Sequence, residues 1–325
     1  MNNLTLRTAI LGLLAVSAPA AAQSPFAYNA SLPLAAQTAA FRTVDGVQVR
    51  EIAYNSPKGG RVTGLLYLPG ARGRRPGVLL GHGAPGNSRG ERTQAYAVAL
   101  AKSGAIVLSI DAPWARRNGP PVTFTPADSA DQVQLIVDLR RGLDYLASRP
   151  DVDPARLGYF GNSYGGAQGA LLVGVDDRIR AAVLRVADGG FIAHFSDPCE
   201  TEATGSATIT GCLQWAIPEA DLPVEQRQRW AEAMWPVEPI HAIGRTQAKL
   251  LFQSALKDEA VSPLRAARLH EAAPSRTSRV EWYNSGHRLP NDALVSAVKF
   301  LHEELGLTEP TQEFAMWVDQ RIATP

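Results

Sequence analysis

Five apolar stretches of this 325-residue chain run without alternation: "PGVLLG", "AIVLSI", "RLGYFG", "IRAAVLRV" and "AKLLFQSAL". A strand with one wet face alternates apolar and polar residues. A strand that does not alternate is covered on both faces. Helical patterns separate these stretches. "RTQAYAVALAKSG" ends on a glycine stop, and "DSADQVQLIVDLRRGLDYLASRP" carries Val133, Leu135, Ile136, Leu139, Leu143 and Leu146 at helical spacing. Strand, helix and strand in turn predict an α/β protein, with a mostly parallel twisted sheet covered by helices on both faces. Before this rhythm, "VQVREIAYN" and "RVTGLLYLPG" read as a hairpin that adds an antiparallel edge. After it, "SPLRAARLHEAAP", "RVEWYN" and "PNDALVSAVKFLHEEL" supply a helix, a strand and a closing helix, and "TQEFAMWVDQRIA" a last amphipathic helix.

Residues 190–240 break the rhythm with two cysteines, three tryptophans and several prolines. They read as a small insertion, or cap, over the C-terminal edge of the sheet. Residues 1–22 read as a removable signal peptide. Arg7 supplies the positive start, "AILGLLAV" a short apolar centre, and Ala20-x-Ala22 the cut. That apolar run is too short to span a bilayer, so no membrane anchor is expected. Residues 23–45 read as a loose arm and 46–325 as one domain. Export implies a periplasmic or extracellular location, and there Cys199 and Cys212, 13 positions apart, are expected to form a disulfide. Such a bond would stabilise by about 3 kcal/mol. The other reading is two unpaired buried thiols, and no Cys or close His pair completes a zinc set. Lys and Arg number 32 against 31 Asp and Glu, and Arg7 leaves with the leader. A balanced chain has no general attraction for nucleic acid or an anionic membrane.

In open α/β sheets ligands bind at the carboxyl ends of the strands, and four features fall there. "GNSYGG" puts Ser163 between an apolar strand and a small-residue helix, the G-x-S-x-G elbow that exposes a nucleophile. His287, in "YNSGHRLP", follows the last strand of the sheet and can take the serine proton. Among the six histidines, His194 and His241 lie in the insertion or at its end, and His270 and His302 fall in helices. Asp258, in "SALKDEAVSP", is favoured as the carboxylate that orients the imidazole, with Glu259 and Asp188 as rivals. "GHGAPG" ends the third strand. The amides of Ala84 and Tyr164 are expected to form the oxyanion hole, with His82 orienting the loop. Asp111 reads as a loop-fixing carboxylate, and Trp114, Arg116 and Arg117 as candidates for the pocket mouth.

On "DVDPARLGYFGNSYGG" and "KDEAVSP" the chain resembles the α/β-hydrolase superfamily, over about Val47 to Leu305. Within it, the chain looks like the branch of dienelactone-hydrolase-like proteins and prolyl-oligopeptidase-like catalytic domains. Dienelactone hydrolases carry Cys where this chain has Ser163. The resemblance implies a hydrolase with no metal or organic cofactor. The reading is an exported serine esterase acting on a small-molecule ester, with a peptidase or amidase on peptide substrates as the alternative. A catalytically idle ligand-binding fold is a third reading.

Overall fold

The computed structural model describes residues 24–70, 73–196 and 222–322. Among the described residues, nine strands form one sheet: β1 (Gln37–Val44), β2 (Val47–Asn55), β3 (Arg61–Leu68), β4 (Arg75–Gly81), β5 (Ile106–Ile110), β6 (Val152–Asn162), β7 (Ile179–Arg185), β8 (Lys249–Ala255) and β9 (Ser278–Tyr283). Their spatial order is β1-β2-β3-β5-β4-β6-β7-β8-β9. The first three pairings are antiparallel, and β5 through β9 run parallel. The sheet has the architecture the sequence implies.

The lack of alternation has its expected cause. Along β4, Leu79 enters one apolar core while Val78 and Leu80 enter the other. Helices α3 (Ala127–Ser148) and α4 (Tyr164–Val173) cover the Leu79 face. Helices α1 (Glu91–Lys102), α8 (Asn291–Leu305) and α9 (Gln312–Arg321) cover the other. Local signals set the helix ends. Gly306 closes α8 at φ 71°, donating its N–H to the His302 carbonyl. Ser262 caps α7 (Pro263–Ala272) by accepting the Arg265 N–H.

Two expectations need correction. Of the loose arm expected over residues 23–45, the described residues 24–45 are anchored. Residues 37–44 form β1, joined to β2 by a two-residue turn with Asp45 at φ 49° and Gly46 at φ 80°, as Asp-Gly hairpin turns require. Upstream, Phe26 is buried, the Tyr28 hydroxyl donates to Asp144, and Arg140 donates to the Phe26 carbonyl at 2.7 Å. Arg116 and Arg117 are not at the pocket mouth. Arg116 ends the short helix α2 (Pro113–Arg116) and makes a salt bridge with buried Asp138 at 2.8 Å, and Arg117 pairs with Asp131.

Residues 1–22, Cys199, Cys212 and Trp215 lie outside the described residues. Of the 190–240 insertion, residues 190–196 and 222–240 are described, and they include α5 (Phe191–Ser196) and α6 (Val224–Met234). Trp230 fastens α6 to α3. Its indole Nε1–H donates to Asp128 at 2.8 Å, and its ring packs on Phe124 and Phe195. Trp235 is exposed, so of these two tryptophans only Trp230 is a packing residue. Among the described residues, no helix is long and apolar enough to cross a membrane.

Trp230→Ala removes a fully buried ring and its hydrogen bond to Asp128. Urea denaturation should show a loss of about 3–5 kcal/mol.

Candidate active site

Ser163 stands between β6 and α4 with φ 57° and ψ −123°, a conformation side-chain-bearing residues rarely adopt. It follows from the need to turn a strand into a helix within one residue. Two contacts hold it: the Ser163 N–H donates to the Arg185 carbonyl of β7 at 2.8 Å, and its carbonyl accepts the Ala167 N–H at 3.1 Å. The turn is tight enough that a Cβ on Gly165 would overlap the Gly81 carbonyl, and one on Gly161 the Gly165 carbonyl. The glycines of the motif are therefore steric requirements of the elbow.

The Ser163 hydroxyl lies 2.9 Å from His287 Nε2, and His287 Nδ1 lies 2.9 Å from both Asp258 oxygens. Asp258 is an acceptor, so Nδ1 carries the proton and Nε2 is left to accept the serine hydroxyl. Asp258 is only 4% exposed, and the Ala260 and Val261 amides each donate to its Oδ1 at 2.8 Å. The loop after β8 thus fixes the carboxylate, and the carboxylate fixes the ring. The rival carboxylates have other tasks. Glu259 accepts the His287 backbone N–H at 3.0 Å, holding the main chain rather than the imidazole. Asp188, after β7, pairs with His194 Nδ1 at 2.8 Å.

The "GHGAPG" loop passes close to the serine. A Cβ on Gly83 would sit 3.6 Å from the Ser163 Cβ. His82 anchors this loop. Its Nε2 accepts the Ala112 N–H at 3.1 Å, and its Nδ1–H donates to the Gly83 carbonyl at 2.8 Å. That pattern needs the neutral ring, and burial pushes the His82 pKa down. Trp114 stacks edge-on against His82, at 5.5 Å between centroids. Asp111 accepts from the Ser88 amide at 2.8 Å and from the Thr63 hydroxyl at 2.7 Å, tying the same loop to β3.

Ala84 and Tyr164 line a cavity of about 490 Å³ together with Ser163 and His287. Tyr164 opens α4, so its amide is one that a helix leaves without an internal partner. The walls are mainly apolar: Pro85, Pro121, Val122, Phe124, Ala167, Phe191, Phe195 and Val261. Sequence reading missed the 120–124 wall and His194. Neither lies at a strand end, and only the strand ends carried a signal. Behind α5, buried Glu238 accepts the Ile192 N–H at 3.1 Å. Burial pushes its pKa up to about 7. No cluster of three or more side chains able to hold a metal occurs among the described residues.

Two outcomes follow from this geometry. Ser163→Gly should be more stable than Ser163→Ala by about 1 kcal/mol in denaturant titration. Both lose the hydroxyl, but only glycine relieves a backbone strain of about 1–3 kcal/mol, part of which its extra unfolded-state entropy offsets. Glu238 holds its proton up to about pH 7 when folded but releases it near the ordinary 4.5 when unfolded. Between those values the folded state binds the extra proton, so its contribution to stability falls as pH rises through the window. Glu238→Gln should remove that fall, read as denaturation midpoint against pH.

No family model matches the chain. It is 29% identical over 150 residues to the alpha/beta hydrolase domain-containing protein WAV2 of Arabidopsis thaliana, covering 45% of this chain and 44% of that one. It is 33% identical over 118 residues to an uncharacterized protein of Mycobacterium tuberculosis, covering 36% and 38%. The chain thus spans less than half the length of these curated relatives. Among solved structures, it is similar to an acetyl xylan esterase from a Paenibacillus species: TM-score 0.67, 20% identity, 84% of this chain and 90% of that one. An acetyl xylan esterase from a Thermoanaerobacterium species gives TM-score 0.67 at 17% identity, over 86% and 90%. A prolyl endopeptidase gives 0.61 at 18% identity, over 81% of this chain and 39% of that one. At these identities the likeness is one of fold, and it agrees with the sheet order and elbow: the chain has the fold of the α/β-hydrolase superfamily.

Proposed function

We propose that this chain is a serine hydrolase of carboxylic esters. The observation that carries the reading is the unbroken relay from the Ser163 hydroxyl through His287 to Asp258, with 2.9 Å at each step. Ser163 Oγ attacks the ester carbonyl carbon as its proton passes to His287 Nε2. The carbonyl oxygen becomes an oxyanion, and the Ala84 and Tyr164 amides donate hydrogen bonds to its developing charge. Collapse expels the alcohol, which takes the proton back from Nε2, and leaves the acyl group on Ser163. Water, deprotonated by the same nitrogen, then releases the acid and restores the serine. Asp258 keeps Nδ1 protonated and stabilises the transient imidazolium. These side chains and water carry every proton and electron pair of the cycle.

The apolar cavity of about 490 Å³ supports a small-molecule ester as substrate. The solved esterases of like fold support the same class. In this reading residues 1–22 are removed on export, and Cys199 and Cys212 then meet oxidising surroundings where a disulfide can form.

The test is hydrolysis of p-nitrophenyl esters from acetyl to dodecanoyl by purified protein. Turnover should favour short acyl chains. Ser163→Ala should lose it by about a thousand-fold or more together with fluorophosphonate labelling, and Asp258→Asn should lower kcat by about ten-thousand-fold. Labelling of Ser163 without ester turnover, with cleavage of matched aminoacyl amides, would replace the esterase reading by a peptidase. Ester turnover unchanged in Ser163→Ala would overturn both.

A further inference from the structure

The cavity holds a second histidine–aspartate pair that the proposed reaction does not use. His194, on α5, lines the same cavity as Ser163 and His287, with its side chain 14% exposed. Its Nδ1 lies 2.8 Å from Asp188 Oδ2, and Asp188 Oδ1 accepts the Gly190 N–H at 3.0 Å. Both carboxylate oxygens are therefore engaged as acceptors. That places the proton on Nδ1 and turns Nε2 of the neutral ring into an acceptor. Nε2 has no hydrogen-bond partner among the described residues.

The ring is held as firmly as a designed binding group would be. The His194 N–H donates to the Gly190 carbonyl at 2.9 Å, Arg265 donates to the His194 carbonyl, and Glu238 accepts the Ile192 N–H of the same short helix. Phe195 packs edge-on against the imidazole at 4.7 Å between centroids. The other polar side chains of the cavity are already committed. Thr123 gives its hydroxyl to Asp128 at 2.7 Å, and Ser163 and His287 bond each other. In a mainly apolar chamber, an oriented acceptor with no partner favours a ligand that brings a donor. A wholly apolar ligand would desolvate Nε2 and give nothing back. The Asp188 carboxylate, which also lines the cavity, biases this wall against a carboxylate on the substrate.

We propose that His194, positioned by Asp188, binds a hydroxyl group of the substrate and selects hydroxyl-bearing esters over apolar ones. This rests on Ser163 being the nucleophile, and it adds a specificity residue from outside the relay.

The experiment compares two matched pairs in the purified full chain. One pair varies the alcohol side, 2-hydroxyethyl butyrate against propyl butyrate. The other varies the acyl side, ethyl 3-hydroxybutyrate against ethyl 3-methylbutyrate. The wild type should prefer the hydroxylated member of at least one pair by about ten-fold or more in kcat/KM. His194→Phe should erase that preference by slowing the hydroxylated member alone. Its methyl counterpart and the rate of fluorophosphonate labelling of Ser163 should stay within about two-fold. His194→Gln, which keeps an acceptor, should retain part of the preference, and Asp188→Asn should reduce it. No preference in the wild type for either pair would overturn the proposal. So would an equal loss on both members in both His194 variants. Failure of wild-type Ser163 to label would overturn the serine-hydrolase reading and this one with it.

Discussion

The structure depends on one strained residue. Ser163 turns β6 into α4 at φ 57° and ψ −123°, and a residue in such a region costs about 1–3 kcal/mol. The surroundings over-determine it. The serine amide is bonded to β7, the rest of α4 is buried, and Gly81, Gly161 and Gly165 bring β4, β6 and α4 together where side chains could not fit. In return the hydroxyl stands clear of both backbone elements and faces the loops after β8 and β9. A relaxed turn would spread the reversal over several residues and carry the hydroxyl out of reach of His287.

The parallel sheet supplies the rest of the geometry. Because β4, β6, β7, β8 and β9 run the same way, their carboxyl ends share one edge. The loop after each strand needs only a few residues to reach the serine. Each functional side chain is then fixed by its own backbone. Asp258 is held by two amides two and three residues along, Asp188 by one two residues along, and His82 by its neighbour's carbonyl. Precision here comes from short local loops on a rigid edge, which is why the relay distances are all near 2.9 Å.

That same economy explains what could be read in the sequence. Ser163, Asp258, His287 and the "GHGAPG" loop each follow a buried strand whose apolar run is visible in the chain. β1 escaped notice because all but its last residue is exposed, so it has no burial pattern to show, although Asp45-Gly46 marked its turn. The anchoring of residues 24–34 escaped too. It rests on Tyr28 and on two arginines of α3, single contacts across more than a hundred residues of sequence. Arg116 and Arg117 looked free because their partners, Asp138 and Asp131, lie on a helix whose polar residues resemble any solvated face.

The carboxylates show where composition stops deciding. Asp188, Asp258 and Glu259 all lie just past strands on one edge, and each could orient a ring. Position relative to a histidine assigns them. His287 rises from the loop after β9, beside the strand that carries Asp258, so that pair closes over the serine. Asp188 lies one strand further in, below the insertion, and meets the histidine that the insertion brings, six residues downstream. The two pairs share a bonding pattern and differ in what their Nε2 atoms face. One faces a hydroxyl fixed by the fold. The other belongs to a cavity-lining ring and has no hydrogen-bond partner among the described residues. In the proposed reading the same pairing serves reaction on one wall and recognition on the other, and the insertion, not the sheet, brings the histidine that does the recognising.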